Sequence, residues 1–234
     1  MSVYFDFLRI NEWYKNVTVI IGIVFAIFLL KLAFNQISLI NSIIIILLSC
    51  FISSANYALN AITDMNLDKR HLTKKFRPLP SKKISLTTAF AIMIILITGS
   101  LSISYLLFGI TTTFFLFLLF VAAVLYNVKP IRLKDVPYVD VLSESINNPI
   151  RFLIGWCVFV NTFPNIFILI LIWSSACFLM TRKRLSELME FREKMINYRN
   201  TFRYYSKKSL SIAMSIYMLI SLALIGIIIY TTAI

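Results

Sequence analysis

Asn60, Asp64 and Asp68 stand four residues apart where an apolar run, Ile37 to Leu59, gives way to the basic stretch KRHLTKKFRP at residues 69–78. Continued as helix, this spacing puts an amide and two carboxylates on one stripe, each about 6 Å beyond the last at roughly 1.5 Å rise per residue. Carboxylates at a helix C-terminus face the negative end of the macrodipole, a typical cost of about 0.3–1 kcal/mol, so helix stability does not account for them. A divalent cation would. His71 is the single histidine, and Cys50, Cys157 and Cys177 sit at unrelated spacings inside apolar runs as ordinary buried thiols. Oxygen ligands alone favour a hard ion, and Mg²⁺ keeps several waters while bridging one or two carboxylates to substrate phosphates. The expected metal set is therefore Asp64, Asp68 and Asn60, with Mg²⁺ as cofactor and a diphosphate as its partner. Arg70, Lys74, Lys75 and Arg77 are positioned to neutralise that diphosphate, although the same residues would also suit a solvated basic loop.

A second constellation begins at Tyr126 and runs through residues 127–156, with Pro130 and Pro137 breaking its first part into turns. From Asp140 the pattern becomes helical. Asp140, Glu144, Asn147 or Asn148, and Arg151 then form a polar stripe descending into apolar sequence, where ionisable groups are expensive and face a cavity or one another. Arg151 is thus a functional candidate, the structural alternative being a buried Arg151–Glu144 pair. Pro149 is placed to kink this helix and free a carbonyl. A third segment, residues 181–209, is amphipathic: Leu185, Leu188, Met189, Phe191, Met195 and Ile196 alternate with charges, as in a helix lying on anionic headgroups. Lys183, Arg184 and Glu187 open it and could face the same diphosphate. Trp13, Tyr14 and Lys15 read as interface anchors first and substrate contacts second.

These residues are carried by membrane helices. The chain has 234 residues, 59% hydrophobic and 14% charged, with several runs near the ~20 residues that cross a bilayer. The runs predict helices at 17–34, 37–59, 86–107, 109–126, 138–160, 164–181 and 209–233, an all-α polytopic bundle of about seven helices forming a single integral-membrane domain over 1–234. The first run lacks a small-residue cleavage pattern and reads as a retained helix. Connections after the first, third and fifth helices are short; those after the second, fourth and sixth are long and basic. Of 23 Lys and Arg, all but Lys31 and Arg151 fall on the side of the long loops, as do all ten acids. The positive-inside rule makes that side cytoplasmic, giving a multi-pass cell-membrane protein with its site facing the cytoplasm. The cationic loops suit anionic lipid or a phosphorylated substrate with its metal. Nucleic acid is not expected, because no nucleic-acid module is recognisable. The sequence does not fix an oligomeric state, and a homo-oligomer is allowed.

Asn60-x3-Asp64-x3-Asp68 resembles the first aspartate motif of the UbiA superfamily of membrane prenyltransferases, and YNVKPIRLKDVPYVD resembles its second motif region. One position departs: the family usually has Asp directly after the motif's Asn, and here Ala61 stands there, which removes a potential metal ligand. Within the superfamily, DKRHLTKKFRPLPSKKIS, EWYKN, Arg151 with Gly155, and KRLSEL are most similar to the polyprenyl-phosphate (decaprenyl-phosphate) phosphoribosyltransferases. Members usually have about nine helices, so the resemblance implies either that a last helix pair is lacking or that the chain is truncated.

The resemblance implies a transferase that moves 5-phosphoribose from phosphoribosyl diphosphate to a polyprenyl phosphate. Asp64, Asp68, Asp140 and Arg151 would be its catalytic residues. Asn60, Lys15, Arg70, Lys74, Lys75, Arg77, Tyr126, Lys134, Glu144, Lys183, Arg184 and Glu187 would bind substrate. Asp140 or Glu144 would hold sugar hydroxyls or a second cation, and Arg151 with Lys134 the lipid phosphate. An alternative keeps the fold and metal but takes a prenyl diphosphate as donor and an aromatic or other lipid-soluble acceptor. A further alternative is a non-catalytic transporter or scaffold for anionic lipids.

Overall fold

The computed structural model describes residues 3–29, 31, 35–71, 73–196 and 200–233, and the side chains of all of these except 191–196, 200, 232 and 233. Its helices are α1 (Val3–Leu8), α2 (Val17–Leu29), α3 (Gln36–Asp68), α4 (Leu86–Asn127), α5 (Val139–Ser145), α6 (Asn147–Cys157), α7 (Ile166–Ile196) and α8 (Lys207–Ala233), with short 3₁₀ turns at Ile10–Asn16, Lys74–Phe76, Leu133–Asp135 and Asn200–Arg203. No strand occurs among the described residues. Among them, five stretches are long and apolar enough to cross a bilayer: Val3–Leu29, Gln36–Asp68, Leu86–Asn127, Ile166–Glu190 and Lys207–Thr231. The chain is a multi-pass membrane protein.

The starts of α3 and α4 follow from their caps. Asn35 Oδ1 accepts from Ser38 N–H at 2.9 Å, and Ser85 Oγ accepts from Thr88 N–H at 3.0 Å, each satisfying a donor that the first helical turn leaves open. α3 continues past its apolar run to Asp68, so the Asn60–Asp68 stripe is helical as expected. α4 is two helices. Gly109 sits at φ 74 and ψ −170, a conformation costly for any residue with a Cβ. The chain reverses there: Ser104 and Thr113 hydrogen-bond at 3.0 Å, whereas nine residues of straight helix would separate them by about 13.5 Å. The predicted helices 86–107 and 109–126 are the two limbs of this hairpin.

Two expectations need correcting. The predicted helix 138–160 is the pair α5 and α6, broken at Ile146. Pro149 has no N–H for the Ser145 carbonyl; instead Asn148 Nδ2 donates to Ser145 O at 3.4 Å and Asn147 Nδ2 to Glu144 O at 3.0 Å. The asparagine side chains therefore serve backbone carbonyls at this break. The predicted boundary at Thr181 is also absent, since α7 runs unbroken from Ile166 to Ile196 and Thr181 Oγ1 donates within it to Cys177 O at 2.7 Å. The first half of the amphipathic segment is thus the end of a spanning helix. Leu188 packs with Phe202, Tyr205 and Leu210, joined by Leu185 and Tyr138, while Met189 is exposed. Placements expected for Phe191, Arg192, Lys194, Met195, Ile196 and Arg199, and for Leu30 and Leu32–Phe34 of the first helix, lie outside the described side chains.

The chain divides into two compact units, Met1–Val128 with Ile150–Thr162, and Lys129–Pro149 with Phe163–Ile234. In the first, α3 packs along α4 over a core of Phe7, Ala55, Ala58, Leu59, Leu79, Ile84, Ala89, Met93 and Ala123. Also in this unit, α2 and α6 meet backbone to backbone at two glycines. A Cβ on Gly22 would collide with the Phe152 carbonyl oxygen, and one on Gly155 with that of Val19. In the second unit α7 packs along α8, and α5 against α7.

Candidate active site

On α3, Tyr57, Asn60, Asp64 and Asp68 fall within an arc of about 80° at 100° per residue. The N-terminal turn covers the Tyr57 end of this face. Arg9 lies over the Tyr57 ring at 5.0 Å from its centroid, and Lys15 at 5.7 Å. Lys15 Nζ also donates to Tyr57 Oη at 3.3 Å and pairs with Glu12 at 2.7 Å. Two further contacts fix the turn on α3: Trp13 Nε1 donates to Ser54 Oγ at 3.0 Å, and Ser54 Oγ donates to Leu8 O at 2.9 Å. Arg9 holds this place with a left-handed backbone, φ 49 and ψ 50, which a non-glycine residue adopts at a cost.

At the other end Asp68, 4% exposed, accepts from Arg77 Nη1 at 2.9 Å. This pair gives Asp68 the structural reason that its position at a helix C-terminus lacked, and it draws one expected diphosphate ligand onto one expected metal ligand. Arg9 is within electrostatic reach of both Arg77 and Asp68, so the acidic stripe carries cations along its length. Asn60 and Asp64 are half-buried, Lys74 is half-buried, and Arg70 and Lys75 are exposed, Lys75 lying over the Phe76 ring. The turn after α3 is held by His71, whose Nδ1 accepts from Thr73 N at 3.2 Å and Lys74 N at 3.4 Å. Burial and then the nearby Lys74 push the His71 pKa down, which keeps Nδ1 an acceptor.

Among the described residues, no three or more of His, Cys, Asp and Glu gather where they could hold one ion. The α3 stripe offers two carboxylates and an amide, all hard oxygen donors. That fits Mg²⁺, which completes its shell with waters and phosphate oxygens.

Arg151 donates from Nε to Asn16 Oδ1 at 3.1 Å, in the same unit as the stripe. Asn16 is buried; its Oδ1 also accepts from Ser53 Oγ at 3.1 Å, and its Nδ2 reaches Cys50 Sγ at 3.3 Å. Glu144, weighed from sequence as a partner for Arg151, accepts from Arg184 Nη2 at 3.2 Å.

The remaining predicted residues lie in the second unit, except Tyr126, which is half-buried near the end of α4. Lys134 is 7% exposed in its 3₁₀ turn. Beside it Arg132, at φ 36, pairs with Asp135 at 2.7 Å. Asp140 is fully buried and binds Arg184 Nε at 2.9 Å. Arg184 also holds Glu144 at 3.2 Å and Glu187 at 2.9 Å, so these acids and the arginine satisfy one another. The Tyr205 hydroxyl donates to the second oxygen of Asp140. Burial and that carboxylate raise the Tyr205 pKa. Lys183 is exposed on α7.

Arg9, Asn16, Tyr57 and Tyr205 join these clusters without having been singled out as site residues from sequence. Tyr57 was within reach of the same periodicity, one turn before Asn60. Asn16 ends the EWYKN segment, whose Trp13, Tyr14 and Lys15 read as anchors, and Arg9 lies three residues before that segment. Nothing local marks Tyr205.

One curated relative is a decaprenyl-phosphate phosphoribosyltransferase of Corynebacterium glutamicum, 33% identical over 99 residues, covering 42% of this chain and 29% of the relative. Another is a protoheme IX farnesyltransferase of Flavobacterium psychrophilum, 32% identical over 114 residues, covering 49% of this chain and 36% of the relative. The matches thus span about a third of either relative's length. Among solved structures, a UbiA homolog from Archaeoglobus fulgidus bound to DMAPP and Mg²⁺ superposes with a TM-score of 0.79 at 19% identity, over 95% of this chain and 76% of that one. A digeranylgeranylglyceryl phosphate synthase structure superposes at 0.73 with 20% identity, over 95% and 75%. They share the fold. The model of the UbiA prenyltransferase family matches residues 17–234, and the chain belongs to that family, whose named members here are transferases.

Proposed function

We propose that the chain is a Mg²⁺-dependent transferase that moves 5-phosphoribose from phosphoribosyl diphosphate to a polyprenyl phosphate at the cytoplasmic membrane face. The observation that carries this reading is the α3 face bearing Asp64 and Asp68, with Arg9 and Lys15 over Tyr57 at one end and Arg77 on Asp68 at the other. So much positive charge suits a donor with a phosphate besides its diphosphate. The stretch of similarity to a decaprenyl-phosphate phosphoribosyltransferase supports it.

Asp64 and Asp68 would hold the ion, with Asn60 on its waters, and bound Mg²⁺ would stabilise charge on the departing diphosphate. Arg9, Lys15, Lys74, Lys75 and Arg77 offset the same charge through fixed cations, with Arg70 at the edge. The ribose C1–O bond to diphosphate breaks with its electron pair leaving on oxygen, and a lipid-phosphate oxygen forms the new bond to C1. That oxygen is already ionised, so no general base is required. Arg151, oriented by Asn16, binds the lipid phosphate, and Tyr126, Lys134 and Lys183 contribute to substrate binding. Arg184 orders Glu144 and Glu187, whose carboxylates accept sugar hydroxyls.

A second reading, in which a prenyl diphosphate is the donor, is favoured by the similarity to a protoheme IX farnesyltransferase and by the shared fold of a homolog bound to DMAPP and Mg²⁺. A donor competition separates the two. Purified protein with Mg²⁺, polyprenyl phosphate and phosphoribosyl diphosphate is expected to release diphosphate, and Asp64→Ala and Asp68→Ala to lose that release. Consumption of prenyl diphosphate alone establishes the second reading. Parent-level release by both aspartate variants overturns the metal assignment.

A further inference from the structure

Arg184 has each of its three nitrogens on a different carboxylate: Nε on Asp140 at 2.9 Å, Nη2 on Glu144 at 3.2 Å and Nη1 on Glu187 at 2.9 Å. The arginine side chain is 2% exposed and that of Asp140 0%, while Glu144 and Glu187 reach solvent at 30% and 26%. The second oxygen of Asp140 accepts from Tyr205 Oη, which in turn accepts from Tyr138 N–H at 3.0 Å. Both oxygens of Asp140 are therefore engaged by protein, away from water.

The three carboxylates meet at a cation that the chain itself supplies. A guanidinium is planar, donates in several directions at once and keeps its proton at any working pH, so the place is not vacated by titration. Asp68 on α3 differs: its partner Arg77 is 33% exposed and holds one oxygen. An ion approaching Asp68 displaces a solvent-facing side chain, whereas one approaching Asp140 would have to extract a buried arginine from three partners and break the Tyr205 hydrogen bond.

We infer that Arg184 is the resident cation of the second acidic motif, so that Asp140, Glu144 and Glu187 hold a guanidinium in place of a divalent ion and the chain binds one metal, at Asp64 and Asp68. Only the location of that one metal rests on the proposed function. A second cation on Asp140 or Glu144, as the sequence allowed, does not fit this arrangement. Asp140 and Tyr205 become positioning residues that fix Arg184, and Arg184 fixes the two half-exposed glutamates.

Mn²⁺ titration of the chain in nanodiscs, with one equivalent of inorganic diphosphate and spin-resonance counting of bound ion, tests the count. The expected result is one Mn²⁺ per chain, lost in Asp64→Asn and retained in Glu144→Gln and Glu187→Gln. Two ions per chain, the second lost in Glu144→Gln, overturn the inference. No bound ion at all refutes the metal assignment of the proposed function and still leaves the second motif metal-free, so the two failures are distinct. Arg184→Lys is expected to keep a count of one and Arg184→Gln to raise it to two. A folded Arg184→Gln that stays at one overturns the role given to the guanidinium, and if it does not fold the parent count and the glutamate variants decide.

Discussion

Gly155→Ala should unfold the contact that places Arg151. The ideal Cβ of residue 155 meets the Val19 carbonyl oxygen, with Val19 C and Ile23 N each at 3.0 Å. All three are backbone atoms of α2, so no side chain can rotate away and the helices must separate. Overpacking of this kind costs about 1–3 kcal/mol. Separation also strains the 3.1 Å bond from Arg151 to Asn16, and a hydrogen bond to a charged group contributes about 1.5–3 kcal/mol. Against this, Ala gains up to about 1 kcal/mol over Gly in helix propensity. The balance is about 2–5 kcal/mol of destabilisation, or on the order of 4–20 °C in melting temperature for a chain of this size. Gly99 and Gly226 are internal controls, because a Cβ at either meets nothing within 4 Å; alanine there should be neutral or stabilise by about 0.5–1 kcal/mol. Thermal unfolding of the three variants in one detergent checks the reasoning. If Gly155→Ala melts with Gly99→Ala at or above the parent, the α2–α6 crossing is not the close backbone contact described.

Tyr205→Phe removes a donor from a fully buried carboxylate and should cost about 1–3 kcal/mol, read as a lower melting temperature. Arg77→Gln leaves the buried Asp68 carboxylate without its ion-pair partner and should cost about 1–3 kcal/mol, read as a lower melting temperature, and should weaken diphosphate binding about tenfold, equivalent to 1.4 kcal/mol, by titration calorimetry. His71 has its pKa lowered from 6.5, so its contribution to the turn is present above that value and lost as pH falls through the lower folded pKa. Amide exchange at Thr73 and Lys74, corrected for intrinsic pH dependence, should show protection at pH 7.5 that is reduced at pH 5, and unchanged protection would refute the Nδ1 acceptor role.

The features legible in sequence were those encoded over one or two helical turns. The Asn60–Asp68 stripe is set by a four-residue spacing, and the Gly109 hairpin by two apolar runs meeting at a glycine. The end of α7 was misread because composition changes at Thr181 from apolar to charged, while no Gly or Pro occurs between Ile166 and Asn200 to stop the helix. Breakers end helices; charge alone does not. The break before α6 was half legible, as Pro149 announces a lost hydrogen bond but not that Asn147 and Asn148 would replace it from their side chains. The pairings were the least legible part. Arg151 finds Asn16 at a separation of 135 residues, and Arg184 finds Asp140 at 44. Such contacts depend on which helices neighbour one another, which no local period carries.

Ala61 and Arg184 have a common consequence. Ala61 borders the Asn60–Asp68 stripe at helical spacing, yet it packs against the apolar cluster around Phe7 and Leu79, as do Leu8 and Met65. A carboxylate there would be partly desolvated against those side chains, so the methyl group suits the packing as the family's aspartate would not. On the proposed reading the first motif gives up a ligand, and Arg184 stands among the acids of the second. If, as proposed, a single ion bears on a bound diphosphate, the remaining charge falls to protein cations. This accounts for the Arg9–Lys15 pair over Tyr57 and for Arg77 on Asp68.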